Sequence, residues 1–205
     1  MKGRMYLIAG LLLTALHAEA QESGDALQAS CAACHGAAGQ GNPALGAPRL
    51  AGQQYEYLLQ QLQSFKAGTR GYHAEDHQGV LMRSALSSVP DTALAPLARH
   101  YAELPEGNGS ALPSAGKGAE VYEGTCAFCH GPDARGNAHL QAPDLRLLDA
   151  EYLDRQLRNY ANGLRGDSGD AGVHAPWMRS IAWQLNDADR RAVVEYLSGS
   201  QAAED

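Results

Sequence analysis

Apolar side chains recur at intervals of three and four residues in two stretches of the chain. Tyr55, Leu58, Leu59, Leu62 and Phe65 form one stripe, and Tyr152, Leu153, Leu157 and Tyr160 form the other. This spacing predicts two amphipathic helices. Gly68 is placed to end the first and Gly163 the second, and Asp149 is placed to cap the start of the second. A further helix is predicted from near Asp187 to Ser198, with Asn186 as its cap and Asp189 near its positive end. Its counterpart in the first half begins near Pro90 and Asp91. Two shorter segments, Asp25–Cys34 and Ala119–Cys129, read as helices that each lead into a Cys-x-x-Cys-His sequence. No stretch alternates β-branched and polar residues, so the pattern predicts an all-α fold. The stripe residues are the candidate core, or the wall of a buried cofactor pocket. The acidic residues are expected on solvated helix faces.

The start of the chain follows a different pattern. Lys2 and Arg4 precede an apolar run of 12 residues, Met5 to Leu16, and Ala18-Glu19-Ala20 follows it. A positive start, a short apolar core and a small-x-small site mark a secretory signal peptide, and the run is too short to span a membrane. Cleavage is predicted between Ala20 and Gln21, leaving 185 of the 205 residues. No later run reaches the roughly 18 apolar residues of a spanning helix. The exported chain is therefore expected to be soluble and periplasmic, reaching a membrane surface only through its partners.

The remainder repeats itself. At an offset of 95 residues, Cys31-Ala-Ala-Cys34-His35-Gly36 falls on Cys126-Ala-Phe-Cys129-His130-Gly131, Gly41-Asn42 on Gly136-Asn137, and Ala47-Pro48 on Ala142-Pro143. Tyr57, Leu58, Gln61, Leu62, Phe65 and Gly68 then meet Tyr152, Leu153, Gln156, Leu157, Tyr160 and Gly163. One insertion raises the offset to 96, after which Met82-Arg83-Ser84 meets Met178-Arg179-Ser180 and Asp91 meets Asp187. Matches at so many spaced positions indicate two copies of one domain. Leu104–Ser114 holds two Pro, two Gly and two Ser and reads as the linker between them. The organisation expected is a signal peptide at 1–20, a first domain at 21–105, a linker at 106–115 and a second domain at 116–205. Domains this small build a limited core and often need a covalent or metal staple.

Charge narrows the partners. The chain has 16 basic and 23 acidic residues; without Lys2, Arg4 and Glu19 the counts are 14 and 22, a net charge of −8. An acidic surface argues against nucleic acid. It suits a protein partner with a basic docking patch.

The four cysteines form two pairs, each followed by histidine. In an oxidising compartment four Cys suggest two disulfides, but C-x-x-C-H is the attachment signature of c-type haem. Two thiols one helical turn apart reach the two vinyl groups on one porphyrin edge, and the next residue presents its imidazole to the iron. A zinc site needs no His after each pair, and a thioredoxin-like motif needs a βαβ context that is missing here. The expected cofactors are two covalently bound haem c groups, held by Cys31 and Cys34 and by Cys126 and Cys129, with His35 and His130 as axial ligands.

The sixth ligands follow from counting. Only four Met exist, and Met1 and Met5 belong to the signal segment. Met82 and Met178 lie 47 and 48 residues after their His, at matched positions of the repeat. A thioether opposite His closes the iron and raises its potential, as in electron-transfer cytochromes. His73 and His77 stand close enough to compete with Met82, and His174 with Met178. His100 and His139 read as surface or core residues. Pro48 and Pro143 each follow their His by 13 residues, and a carbonyl there is positioned to accept the Nδ1–H of the proximal imidazole.

With these residues in view the chain resembles the class I c-type cytochromes, and as a tandem it is similar to the dihaem cytochrome c4 group. The resemblance rests on both CxxCH-Gly motifs, Gly39-Gln-Gly-Asn42, Pro48-Arg-Leu-Ala-Gly-Gln53, Met82, Gly136-Asn137, Pro143, Met178 and Leu185-Asn-Asp187. It implies two tandem class I cytochrome c domains, each wrapped around a covalently attached haem and packed about a pseudo-twofold axis. It further implies service as a single-electron carrier in a respiratory chain, between a quinol-oxidising complex and a terminal oxidase or reductase. Two departures mark the first half: the His-rich stretch from Tyr72 to Leu81, and Pro90 where the second half has Asn186. A cytochrome subunit of a dehydrogenase complex, with a flavoprotein or other oxidoreductase partner, would carry the same local motifs. A haem enzyme of the peroxidase kind needs an open sixth position, against which the paired Met argue. No catalytic residue is expected.

Overall fold

The computed structural model describes residues 25–167 and 174–199; the expected signal peptide and its cleavage site lie outside them. Among the described residues the secondary structure is helical apart from two isolated bridges, Asn42 to Ala47 and Asn137 to Ala142. Helix α1 covers residues 25–35. It is followed by α2 (Tyr55–Ala67), α3 (His77–Leu86) and α4 (Asp91–Glu103). Irregular chain then runs from Leu104 to Gly116. The second half opens with α5 (Lys117–Val121), a π-helical turn (Tyr122–Cys126) and α6 (Ala127–His130) in continuous succession. It continues with α7 (Ala150–Ala161), α8 (Ala175–Gln184) and α9 (Asp187–Ser198).

The end signals read from the sequence act as expected. Gly68 takes φ 75° and returns its N–H to Phe65 and Ser64 carbonyls, closing α2. Asp149 accepts the Tyr152 N–H at 2.8 Å. Asn186 accepts the Asp189 N–H at 2.9 Å and donates its amide to that carboxylate at 2.8 Å, satisfying two groups at the start of α9. The two helices that carry the methionines, α3 and α8, are short and without a continuous apolar stripe, so the periodic pattern does not single them out. Helix α3 owes its start to Asp76, which accepts the Gly79 N–H at 3.1 Å.

Each half builds its own core. In the first, α2 packs on α3 and α4, and Phe65, Leu86, Val89, Leu94 and Leu97 form one cluster beside a second of Leu58, Ala98 and Tyr101. In the second, α5 packs on α9 and α7 on α8 and α9, around Val121, Tyr122, Leu148, Leu153, Val193 and Leu197. Among the described residues no apolar cluster crosses between halves.

The halves meet instead through polar groups. Gln53 and Asp144 exchange two buried hydrogen bonds, side-chain amide to backbone carbonyl at 2.9 Å and backbone N–H to side-chain oxygen at 2.7 Å. Asn159 donates to Asp76 at 3.0 Å, the Tyr72 hydroxyl to the Gly163 carbonyl at 2.8 Å and Arg155 to the Gly46 carbonyl at 2.6 Å. The expectation that acidic residues lie on solvated faces is thereby corrected for two of them. Asp76 and Asp144 are buried, because one supplies a helix cap and an inter-half acceptor and the other a bidentate partner for Arg146.

Candidate haem sites

Both Cys-x-x-Cys-His motifs sit at the end of a helix, and the chain after each folds back in the same way. Gly41 donates to the His35 carbonyl and Gly136 to the His130 carbonyl, both at 2.8 Å. The two glycines have φ 86° and 83°, and a Cβ there would come within 2.7 Å of Arg49 N and 2.3 Å of Ala142 O. Only glycine serves a left-handed turn with so close an approach. The next residues close a small loop, Asn42 with Ala47 and Asn137 with Ala142, and the loop delivers a proline carbonyl to the histidine. His35 Nδ1 lies 2.8 Å from the Pro48 oxygen and His130 Nδ1 lies 3.4 Å from the Pro143 oxygen. A carbonyl only accepts, so Nδ1 carries the proton and the Nε2 lone pair is left for another partner.

That partner is missing among protein groups in the first half. His35 is buried, and its Nε2 has no hydrogen-bond partner among the described residues. Burial pulls both imidazoles below their ordinary pKa, with the proline carbonyls opposing this. The neutral ring favoured by burial is the form that ligates a metal. None of the four cysteines is in a disulfide, and burial pushes the Cys126 thiol up to about 11.

In the second half a cavity of about 390 Å³ brings Cys126, Cys129, His130, Pro143, His174 and Met178 to one wall set. Tyr57 and Gln61 of the first half line it as well, so it reaches the seam between the halves. In the first half Met82 packs against the Phe65–Leu97 cluster and Cys31 against that of Leu58, Ala98 and Tyr101. His77 is exposed, and His73 accepts the Glu75 N–H at 3.3 Å. His139 is exposed, and His100 makes an edge contact with Tyr101.

One group of residues at the seam was not singled out from the sequence. Arg70 donates to Gln61 at 2.5 Å, to the Tyr152 hydroxyl at 3.1 Å and to Gln156 at 3.3 Å. Arg165 donates to Gln156 at 2.6 Å and to Gln61 at 2.8 Å. Arg70 and Arg165 are matched by the 95-residue offset, as are Gln61 and Gln156. Each arginine thus binds the glutamines of both halves. Both are buried, and among the described residues neither is in an ion pair. Two buried cations without a carboxylate, beside a cavity that Arg165 lines, fit a cofactor that carries acidic groups. The signal available in the sequence was the paired Arg-Gly at 70–71 and 165–166, which falls within the repeat.

A family model described as cytochrome c matches residues 21–91 and again 115–201. The chain belongs to the cytochrome c family. It is 34% identical over 209 residues to cytochrome c4 of Azotobacter vinelandii, covering 94% of this chain and 97% of that protein. It is 36% identical over 186 residues to a thiosulfate dehydrogenase electron acceptor of Thiomonas intermedia, covering 83% and 78%. The crystal structure of reduced recombinant cytochrome c4 from Pseudomonas stutzeri superposes with a TM-score of 0.70 at 32% identity, covering 87% of this chain and 97% of that one. This cytochrome is accordingly a dihaem electron-transfer protein of the cytochrome c4 kind, all-helical, with two tandem domains and two covalent haem c groups. No helix among the described residues is long and apolar enough to cross a membrane.

Proposed function

We propose that His35 and Met82 ligate the first iron and His130 and Met178 the second, with Cys31, Cys34, Cys126 and Cys129 as the thioether anchors. The single observation that carries this reading is the cavity of the second half, whose lining includes Cys126, Cys129, His130 and Met178 together. The haems supply one-electron iron chemistry. The protein's own groups do the rest. The Pro48 and Pro143 carbonyls hold the two imidazoles in the Nδ1–H tautomer and strengthen them as ligands. Arg70 and Arg165 balance acidic cofactor groups at the seam. The domains are bounded at 21–105 and 116–205, joined by the 106–115 linker after removal of residues 1–20.

The chain then works in the periplasm as a carrier of single electrons, taken from a quinol-oxidising complex and given to a terminal oxidase or reductase. The acidic surface suits partners with basic docking patches. The test is substitution of each methionine by Ala, read in the near-infrared sulfur-to-iron band and in the potential. Each substitution should abolish one band and lower one potential; Met82→Ala leaving both bands while His77→Ala shifts one would reassign the first ligand.

A second reading has a specific support. The similarity to a thiosulfate dehydrogenase electron acceptor extends over 83% of the chain, which favours a role as the electron-accepting partner of a periplasmic dehydrogenase. Purification from the native host separates the two. A monomer reduced by quinol-oxidising membranes fits the free carrier, and a stable complex with a catalytic chain fits the subunit.

A further inference from the structure

Three histidines stand close in sequence to the two methionines, and the fold separates them. His77 is exposed and His73 is engaged with the Glu75 backbone, whereas His174 lines the same cavity as Cys126, Cys129, His130 and Met178. His174 is the first residue before α8, with φ −96° and ψ −14°, and its side chain makes no capping bond. Its carbonyl accepts the Met178 N–H at 3.1 Å, so the two residues stand one helical turn apart on one face. Side chains on a helix lean toward its N-terminus, which carries the Met178 thioether over the turn that bears His174.

The imidazole itself is poorly satisfied. His174 Nδ1 is buried and has no hydrogen-bond partner among the described residues. Its ring meets the edge of Trp177 at a centroid distance of 4.9 Å and 68°. A buried ring nitrogen without a partner is uncommon, because it loses the hydrogen bond that water would give. The first half has no equivalent: the residue matched to His174 at the 96-residue offset is Gln78.

We propose that His174 is a reserve axial ligand of the second iron, which takes the sixth position when the Met178 thioether leaves it. This rests on the assignment of Met178 as the resident ligand. The exchange breaks one iron–sulfur bond and forms one iron–nitrogen bond. Thioether and neutral imidazole are both uncharged, so neither a proton nor an electron needs to enter or leave. The outcome differs between halves. Loss of Met178 leaves the second iron six-coordinate between two nitrogens, at a lower potential, while loss of Met82 leaves the first iron open.

The test compares Met82→Ala, Met178→Ala and Met178→Ala/His174→Ala, as full-length haem-loaded proteins without histidine tags and in buffer free of ligands. In the ferric state M178A should lose the near-infrared band of the second haem yet remain low-spin, with a bis-nitrogen signal in electron paramagnetic resonance. M82A should give one high-spin haem. The double variant should turn the second haem high-spin and, when reduced, bind one carbon monoxide there. A high-spin second haem in M178A, or a low-spin one that survives in the double variant, overturns the proposal while leaving the Met178 assignment standing. If M178A leaves the second haem's band in place, the assignment itself falls and the proposal with it. Should M178A not load haem, His174→Gln gives an independent readout, since it installs the first-half residue and leaves Met178 intact. In mild urea, reduced H174Q should bind carbon monoxide at the second haem faster than the unaltered protein, because a competing ligand is gone; an unchanged rate overturns the proposal.

Discussion

The two halves descend from one pattern yet solve the same local problems differently. Helix α1 runs unbroken into Cys31-Ala-Ala-Cys34-His35, whereas the second approach passes through a π-helical turn that ends at Cys126. The proline carbonyl stands 2.8 Å from His35 but 3.4 Å from His130. The last helix of the second half starts on an Asn186 cap, while its counterpart starts at Pro90 with no side-chain cap and runs through Pro96. A duplicated fold therefore keeps in both halves the groups that the proposed haem sites use, namely two thiols, a histidine, a carbonyl behind it and a methionine. Helix starts and hydrogen-bond lengths around them are left to vary.

Removing an attachment site tests the comparison most severely. Cys126→Ala/Cys129→Ala should lower the intact mass of the denatured protein by one haem and leave the first haem's spectrum in place. Cys31→Ala/Cys34→Ala should do the reverse. Loss of both haems from either variant would mean that the halves do not load independently.

The seam is where the halves are equal, and it gives the next largest effect. Arg70→Gln and Arg165→Gln each remove a buried charged donor that serves both Gln61 and Gln156. Hydrogen bonds of charged groups are worth roughly 1.5–3 kcal/mol each, and each variant loses those to both glutamines, so each should lose about 3 kcal/mol or more in denaturant unfolding. The two losses should be similar. A loss confined to one variant would break the symmetry argued for this cluster.

Helix starts sharpen the difference on a smaller scale. Asn186→Ala should cost about 1 kcal/mol, because the Asp189 N–H loses its acceptor. Pro90→Ala should cost much less, since no capping side chain is lost. Hydrogen exchange in α9 and α4 would localise both effects.

The smallest effect concerns the potentials. A shorter bond from Nδ1–H to the carbonyl makes His35 the more basic ligand and favours the oxidised iron. The first haem should therefore titrate below the second in a redox titration read by a haem-resolved signal. Equal potentials, or the opposite order, would mean that other groups outweigh this bond.

Local chemistry was legible in the residues alone. The duplication, the two Cys-x-x-Cys-His motifs, the glycine that ends α2 and the caps Asp149 and Asn186 all act over a few bonds, within one turn or one loop. Spacing along the chain is then nearly spacing in space. The pairing of each histidine with a proline 13 residues on was legible for the same reason, because a single closed loop joins them. What the tertiary structure alone decided lies between elements. Arg70, Arg165, Gln61 and Gln156 converge only because the chain around α2 meets the chain around α7 across the seam, and Asp76 and Asp144 bond across it to Asn159 and Gln53. The sequence also ranked His73, His77 and His174 alike as neighbours of a methionine, and only the packing of α8 against the second cavity sets His174 apart. Polar groups that meet across a domain seam leave no periodic trace in the chain. Their partners lie some 80 to 110 residues away, and each side chain alone has the composition of an exposed surface.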